Sequence, residues 1–204
     1  VLEKQMRSLS DIVGHHKPLK HGHYWRFYEQ FLEPHRQRIH SVLEIGVQNG
    51  GSLRTWEEYF PNARVVGVDT DAGCAVHSAG RVEVLIGDQE NAAWLRAAVI
   101  PHGPFDLIVD DGGHTMRQQI TSLRTLWGPG LARGGWYVIE DLHTSYWDQF
   151  GGGLRRAGAT MEFLKALTDQ VNVHFHQEPD SEFPGVLGLH FYDSLCFLEK
   201  KEQF

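Results

Sequence analysis

The chain has 204 residues, enough for one domain with a substantial core and short for two with independent cores, so a single domain is expected. Its 19 Lys plus Arg against 26 Asp plus Glu give a formal net charge of -7 without any basic run, which speaks against nucleic acid or an anionic membrane as partner. Cys74 and Cys196 lack a CxxC spacing, and no segment reaches the roughly 18 to 20 apolar residues of a membrane span, so a cytoplasmic protein is expected.

The opening VLEKQMRSLSD has none of the features of a signal peptide. His15, His16, His21 and His23 stand in polar surroundings and read as solvated surface residues. Residues 24–39 (YWRFYEQFLEPHRQRI) place Phe27, Phe31 and Leu32 at helical spacing and predict a helix interrupted near Pro34. Residues 1–40 are therefore expected to form a helical lid segment on a main domain spanning 41–204.

From there short apolar runs alternate with amphipathic stretches. The runs are 42–47 (VLEIGV), 65–68 (VVGV), 82–86 (VEVLI), 105–109 (FDLIV) and 136–139 (WYVI). Each is apolar enough to be covered on both faces, as a parallel strand flanked by helices must be. Residues 52–59, 91–99 and 116–127 have helical composition, and 160–171 is a further helix candidate with Phe163, Leu164 and Leu167 on one face. The runs 187–191 and 195–199, separated by Tyr192, Asp193 and Ser194, read as a tight antiparallel hairpin. The expected fold is α/β: a doubly wound, mainly parallel seven-stranded sheet of Rossmann-like type with a C-terminal antiparallel hairpin.

Ligands of such sheets bind beyond the carboxyl ends of the strands. The first strand runs into Glu44-Ile-Gly46-Val-Gln-Asn49-Gly50-Gly51-Ser52, a glycine-rich turn opening a helix. Its G-x-x-x-G-G spacing departs from the dinucleotide fingerprint G-x-G-x-x-G, which weighs against a nicotinamide oxidoreductase, and is closer to the E-x-G-x-x-x-G of nucleoside-binding methyltransferases. The second strand ends in Asp69-Thr-Asp71, where a carboxylate can accept hydrogen bonds from ribose hydroxyls, and the third in Gly87-Asp88-Gln89, where Asp88 can meet an adenine amino group. Taken singly, each signal is also explained by a tight turn or a helix cap. Three of them at three successive strand ends point to a nucleoside.

The fourth strand ends in Asp110-Asp111-Gly112-Gly113-His114 and the fifth in Glu140-Asp141-Leu142-His143. Alternation along a strand sends Asp110 and Asp111 to different sides. Adjacent parallel strands bring both acidic pairs to one sheet edge, where crowded carboxylates repel unless neutralised, and oxygen ligands suit Mg2+ or a similar hard ion. The two glycines allow a sharp turn that returns His114 to the same edge. A histidine there fits a general base, since its unperturbed pKa of about 6.5 lies near working pH; a helix-start residue is the alternative.

LEIGVQNGGSLRTWEEYFPNARVVGVDTD, FDLIVDDGGH, GGWYVIEDLHTSYW and LHFYDSLCFLEK, in this order, resemble the metal-dependent class I S-adenosylmethionine methyltransferases that modify sugar hydroxyls of bacterial natural products, the macrolide-sugar O-methyltransferases among them. The resemblance runs from about Tyr24 to Lys200 and is most specific in DGGH and EDLHTSYW. It implies Asp111, Glu140 and Asp141 as metal ligands and His114 with Asp111 as the catalytic pair. Candidate donor contacts are Glu44, Gly46, Asn49, Gly50, Ser52, Asp69, Asp88, Gln89 and Asp110, and candidate substrate contacts are His143, Tyr146, Trp147 and Tyr24. Relatives often carry a Thr-Asp-Lys run before an N-terminal His-x-Tyr; here the chain reads Val13-Gly-His-His-Lys17 before His21-Gly-His23-Tyr24. Relatives with an extra N-terminal domain also exist, and this length leaves no room for one.

The expected reaction is attack of a sugar hydroxyl on the sulfonium methyl of S-adenosyl-L-methionine, assisted by Mg2+ or a similar cation, with a small glycosylated or amino-sugar molecule as partner. Two rival readings stay open: methylation of an amine on an amino sugar, as in aminoglycoside biosynthesis, and a nucleoside-binding module without catalysis. Exposed aromatics within residues 24–31 fit either a lid or a contact in a homo-oligomer.

Overall fold

A computed structural model describes residues 6–177 and 181–203; positions 1–5 of the expected 1–40 segment, and 178–180 and 204 of the main domain, lie outside them. Seven strands, β1 Ser41–Ile45, β2 Arg64–Asp69, β3 Val82–Ile86, β4 Phe105–Asp110, β5 Leu131–Ile139, β6 Val186–Tyr192 and β7 Leu195–Lys200, form one sheet in the order β3-β2-β1-β4-β5-β7-β6. The first five are mutually parallel, and β7 pairs antiparallel with both β5 and β6. This is the expected doubly wound sheet with its terminal hairpin, closed by the two residues Asp193 and Ser194, the latter in the left-handed region at φ 61°.

Both faces of the sheet are covered, and the pleat divides the strand residues between two cores. Val42, Leu107, Val109, Trp136, Val138 and Phe197 pack on one face with Tyr24, Tyr28 and Trp56. Leu43, Ile45, Ile108, Tyr137, Ile139 and Leu198 pack on the other with Leu123, Trp127 and Leu164. Continuous apolar runs follow directly from this two-sided burial.

The register aligns the carboxyl ends where a site must form. Ile45 pairs with Val68 on one side and Asp110 on the other, and Asp110 pairs with Ile139. The segments after β1, β2, β4 and β5 therefore leave the sheet at one level.

The helices are α1 Leu9–His16, α2 Trp25–Leu32, α3 Gly51–Tyr59, α4 Ala92–Trp94, α5 Met116–Leu126 and α6 Thr160–Leu167. The predicted break near Pro34 is present, because α2 gives way to a 3-10 turn at Glu33–His35. Three features differ from expectation. Residues 91–99 are a short α turn running into a π turn, Leu95–Val99. The helix expected over 160–171 ends at Leu167 and continues as a 3-10 stretch, Thr168–Phe175, kinked at Asn172.

The third difference is α1, which periodicity did not reveal. Ser8 caps it by accepting from the Asp11 N–H, and Lys17 ends it in the left-handed region at φ 50°, donating its N–H to the Val13 carbonyl at 2.9 Å. Ser8-x-x-Asp11 is the capping signal that marks this start. His16, read as a solvated surface residue, is part-buried and lies 2.8 Å from Glu58 of α3. Among the described residues no helix is long and apolar enough to cross a membrane.

Candidate active site

Two clefts open at the carboxyl edge of the sheet. The first is lined by Gly46 and Gln48 after β1, Asp69 and Thr70 at the end of β2, Gly87, Asp88 and Gln89 after β3, and Asp111, Gly112 and Gly113 after β4. Gly46 is held at φ 95°, and a Cβ there would collide with the Asp111 carbonyl, so only glycine lets these two strand ends approach. At Gly112 a Cβ would meet the Gln89 carboxamide, so a larger residue there would displace that side chain from the cleft wall.

Asp69 builds the mouth of this cleft. Its Oδ2 accepts the N–H groups of Val47 at 2.8 Å and Gln48 at 3.2 Å, and its Oδ1 that of Asp71 at 2.9 Å. Burial works against the charged form, but the three backbone donors outweigh it and hold the carboxyl below its ordinary range. Asp88 is turned by accepting the Glu90 N–H at 2.8 Å. Gln89 bridges the cleft wall, donating to Asp110 Oδ1 at 2.9 Å and accepting from the Gly113 N–H at 2.9 Å.

Several expected donor contacts sit elsewhere. Asp110 is fully buried and lines neither cleft; Ser122 and Tyr137 donate to its Oδ2, and burial pushes its pKa upward against these hydrogen bonds. It organises the interior while its neighbour Asp111 faces the cleft, as strand alternation requires. Asn49 caps the start of α3 through the Gly51 N–H at 3.0 Å, Gly50 supplies the left-handed residue before that helix, and Ser52 is buried in its first turn.

Glu44 is also withdrawn from the first cleft. It is 0% exposed, and its Oε1 lies 2.8 Å from the ammonium of Lys20, a residue that no sequence signal singled out. The Lys20 side chain, 1% exposed, holds Glu44 by ion pairing alone and donates to Asp111 Oδ2 and, at 2.9 Å, to Glu140 Oε1, which Tyr28 approaches as a further donor. Burial alone would discharge this lysine, but Asp111, Glu140 and Glu44 together outweigh it and raise its pKa well above the ordinary value. Glu140 shifts upward through burial and the Asp111 charge, with Lys20 and Tyr28 opposing.

The second cleft lies beside this cluster, lined by Pro18, Leu19, Lys20, His21, Asp111, Glu140 and Asp141. Asp111, Asp141 and His114 converge next to it, with ligand atoms all within 4.8 Å of one another. His114 Nε2 is 3.3 Å from Asp141 Oδ2 and 3.9 Å from Asp111 Oδ1. His114 and Asp141 both occupy the left-handed region, at φ 58° and 55°, a conformation costly for residues with a Cβ and retained where a site requires it. Two carboxylates and an imidazole suit a divalent cation, and the Lys20 ammonium drawn to Asp111 shows that this edge favours positive charge. The donor set therefore fits the expected ion, although Glu140, the third member of the expected set, is turned toward Lys20 and Tyr28.

Tyr24 does not line the second cleft. Its buried hydroxyl donates to Asp141 Oδ1 at 2.8 Å, and burial first, then this contact, raises its pKa. His21, read as a solvated histidine, is 54% exposed and also lies on the cleft wall, 3.5 Å from Asp141 Oδ1. His143 packs edge-on against Trp147 at 4.7 Å and is oriented by Ser194 Oγ. Tyr146 and Trp147 each remain 45% exposed, a large aromatic surface near the acidic edge.

No family model matches the chain. It is 36% identical over 211 residues to the 8-demethyl-8-(2-methoxy-alpha-L-rhamnosyl)-tetracenomycin-C 3'-O-methyltransferase of Streptomyces olivaceus, across 94% of this chain and 53% of that protein. It is 36% identical over 191 residues to the mycinamicin VI 2''-O-methyltransferase of Micromonospora griseorubida, across 85% of this chain and 47% of that protein. A crystal structure of the methyltransferase MycE from the mycinamycin biosynthetic pathway, in complex with Mg, SAH and mycinamycin VI, matches with a TM-score of 0.88 and 32% identity over 97% of this chain and 54% of that one. The chain thus spans about half the length of the curated relatives it matches.

Proposed function

Because the chain belongs, over the length it covers, to the family of sugar O-methyltransferases of antibiotic pathways, we propose that it transfers a methyl group from S-adenosyl-L-methionine to a sugar hydroxyl of a glycosylated bacterial natural product. The observation that carries this reading is the position of Asp111, which lines both clefts. A donor in the first cleft and an acceptor in the second would meet across that residue, the proximity that an in-line methyl transfer needs.

Gly46, Asp69, Asp88 and Gln89 hold the donor, with Asp69 accepting from a ribose hydroxyl through the Oδ1 lone pair that its backbone partners leave free. Replacing Asp69 with alanine is expected to weaken S-adenosylmethionine binding about tenfold or more, since hydrogen bonds to a charged group are worth about 1.5 to 3 kcal/mol; calorimetric titration reads this directly. Asp111 and Asp141 hold a divalent ion such as Mg2+, with Glu140 as the third carboxylate. When bound, the ion supplies positive charge that favours loss of the acceptor hydroxyl's proton. His114 Nε2, placed between Asp111 and Asp141, takes that proton. Leu19 and His21 form one wall of the acceptor site and Tyr146 and Trp147 offer stacking surface; the lid role falls to residues 18–21, because Tyr24, Trp25, Phe27 and Tyr28, expected to be exposed, are buried in the core.

The acidic balance and the free, buried Cys74 and Cys196 support a cytoplasmic enzyme with a small-molecule partner. The test is incubation of the protein with S-adenosylmethionine and Mg2+ against glycosylated macrolides and aminoglycosides, followed by mass spectrometry. Gain of one methyl on a neutral sugar, lost with a chelator, is the expected result. Chelator-insensitive methylation of an amine would move the assignment to N-methylation, and donor binding without turnover on any acceptor would leave a binding module.

A further inference from the structure

We propose that Lys20 is a resident cation of the metal site, an internal ammonium that neutralises the buried carboxylates when no divalent ion is bound and that sets how tightly such an ion binds. The inference rests on the reading that Asp111 and Asp141 hold that ion.

Glu44, Asp111, Glu140 and Asp141 bring four carboxylates from the ends of β1, β4 and β5 to one place, and Glu44 and Glu140 are sealed from solvent. Burying unpaired carboxylates is costly unless a cation compensates them. A lysine ammonium is a compact charge with three donor hydrogens. Here it meets three acids, Glu44 Oε1 at 2.8 Å, Glu140 Oε1 at 2.9 Å and Asp111 Oδ2. Among the described residues, Glu44 has no other ion pair.

The two oxygens of Asp111 divide the work. Oδ2 faces the ammonium, whereas Oδ1 faces the His114 ring and the group it forms with Asp141. A divalent ion on that group stands beside the ammonium and shares a carboxylate with it, so like-charge repulsion lowers its affinity. One ammonium against four carboxylates still leaves enough negative charge for a divalent ion and a sulfonium donor.

The backbone delivers Lys20 deliberately. Lys17 closes α1 in the left-handed region, its carbonyl accepts from Asn49 at 3.4 Å, and Tyr24 anchors the far end on Asp141. Between these anchors Pro18, Leu19, Lys20 and His21 run along the second cleft beside Asp111, Glu140 and Asp141.

Titration calorimetry with Mg2+ on the donor-free protein, together with thermal melting, tests the role in wild type, Lys20→Met and Lys20→Arg. Lys20→Met is expected to bind Mg2+ about tenfold more tightly, because a nearby positive charge is gone. It is also expected to melt below wild type without metal and to close that gap at saturating Mg2+. Lys20→Arg keeps the charge and should bind Mg2+ as wild type does. Equal or weaker Mg2+ affinity in Lys20→Met overturns the proposal, as does failure of that variant to fold even in Mg2+, since the ion should replace the missing charge. Wild-type protein that binds no Mg2+ at all would instead defeat the metal assignment.

Discussion

Asp111→Asn is expected to lower kcat/KM for the proposed sugar methylation about a thousandfold, equivalent to ~4 kcal/mol of transition-state stabilisation. The substitution keeps the shape of the side chain and removes one charge from the residue that lines both clefts. Three functions are lost together: an anionic oxygen toward the cation, the partner of the Lys20 ammonium, and the charge facing His114. Mg2+ affinity should fall in parallel, whereas S-adenosylmethionine binding, under the proposed assignment to Asp69, Asp88 and the glycine turns, should stay within a few-fold of wild type. Steady-state kinetics with calorimetry separates these, and a variant within about tenfold of wild-type kcat/KM would remove Asp111 from the mechanism.

His114→Ala is expected to reduce kcat by a factor of about 10² to 10⁴, the range attributed to a positioned general base. The ring sits 3.3 Å from Asp141 and 3.9 Å from Asp111, close enough to be either a base or a third ligand. The two roles predict different partners for the loss. A base leaves Mg2+ affinity near wild type while kcat falls and its pH profile flattens; a ligand takes Mg2+ affinity down with it. Near-normal kcat with metal supplied would exclude the base. The left-handed backbone at His114 makes a folding control necessary: alanine keeps a Cβ there and relieves none of that strain, so the variant is melted beside wild type before its kinetics are compared.

The parallel strands were legible because two-sided burial leaves little polar alternation: 65–68 and 105–109 read as interior strands once helices flanked them, and β2 and β4 cover these residues, whereas 82–86 forms the edge strand β3 with Glu83 exposed. The helix over 160–171 was read too long because composition does not show where a helix stops gaining from packing; Leu164 and Leu167 are buried, whereas the 3-10 stretch after Leu167 contributes no buried residue. The eight-residue α1 escaped notice because so short a helix carries little periodic signal, and only its Ser8 cap marks it.

In the candidate site, the strand-end rule brought Gly46, Asp69, Asp88, Gln89 and Asp111 to attention, and the fold lines one cleft with all five. That rule is blind to which way a side chain turns after the strand. Asp110 and Glu44 satisfy the same positional criterion, yet one is hydrogen-bonded by Ser122, Tyr137 and Gln89 and the other is buried beside the Lys20 ammonium.

By itself, then, the sequence determined the sheet, its hairpin and the edge at which chemistry gathers, since these follow from local periodicity and the geometry of parallel strands. Only the tertiary structure decided how the carboxylates are shared. Lys20 is 91 positions from Asp111 and 120 from Glu140, and no local pattern encodes a pairing over such separations. It arises because Lys17 turns the chain after α1 and directs one ammonium into a site where desolvated acids accept it at close range, the reason a surface-looking lysine becomes the most buried cation of the cluster.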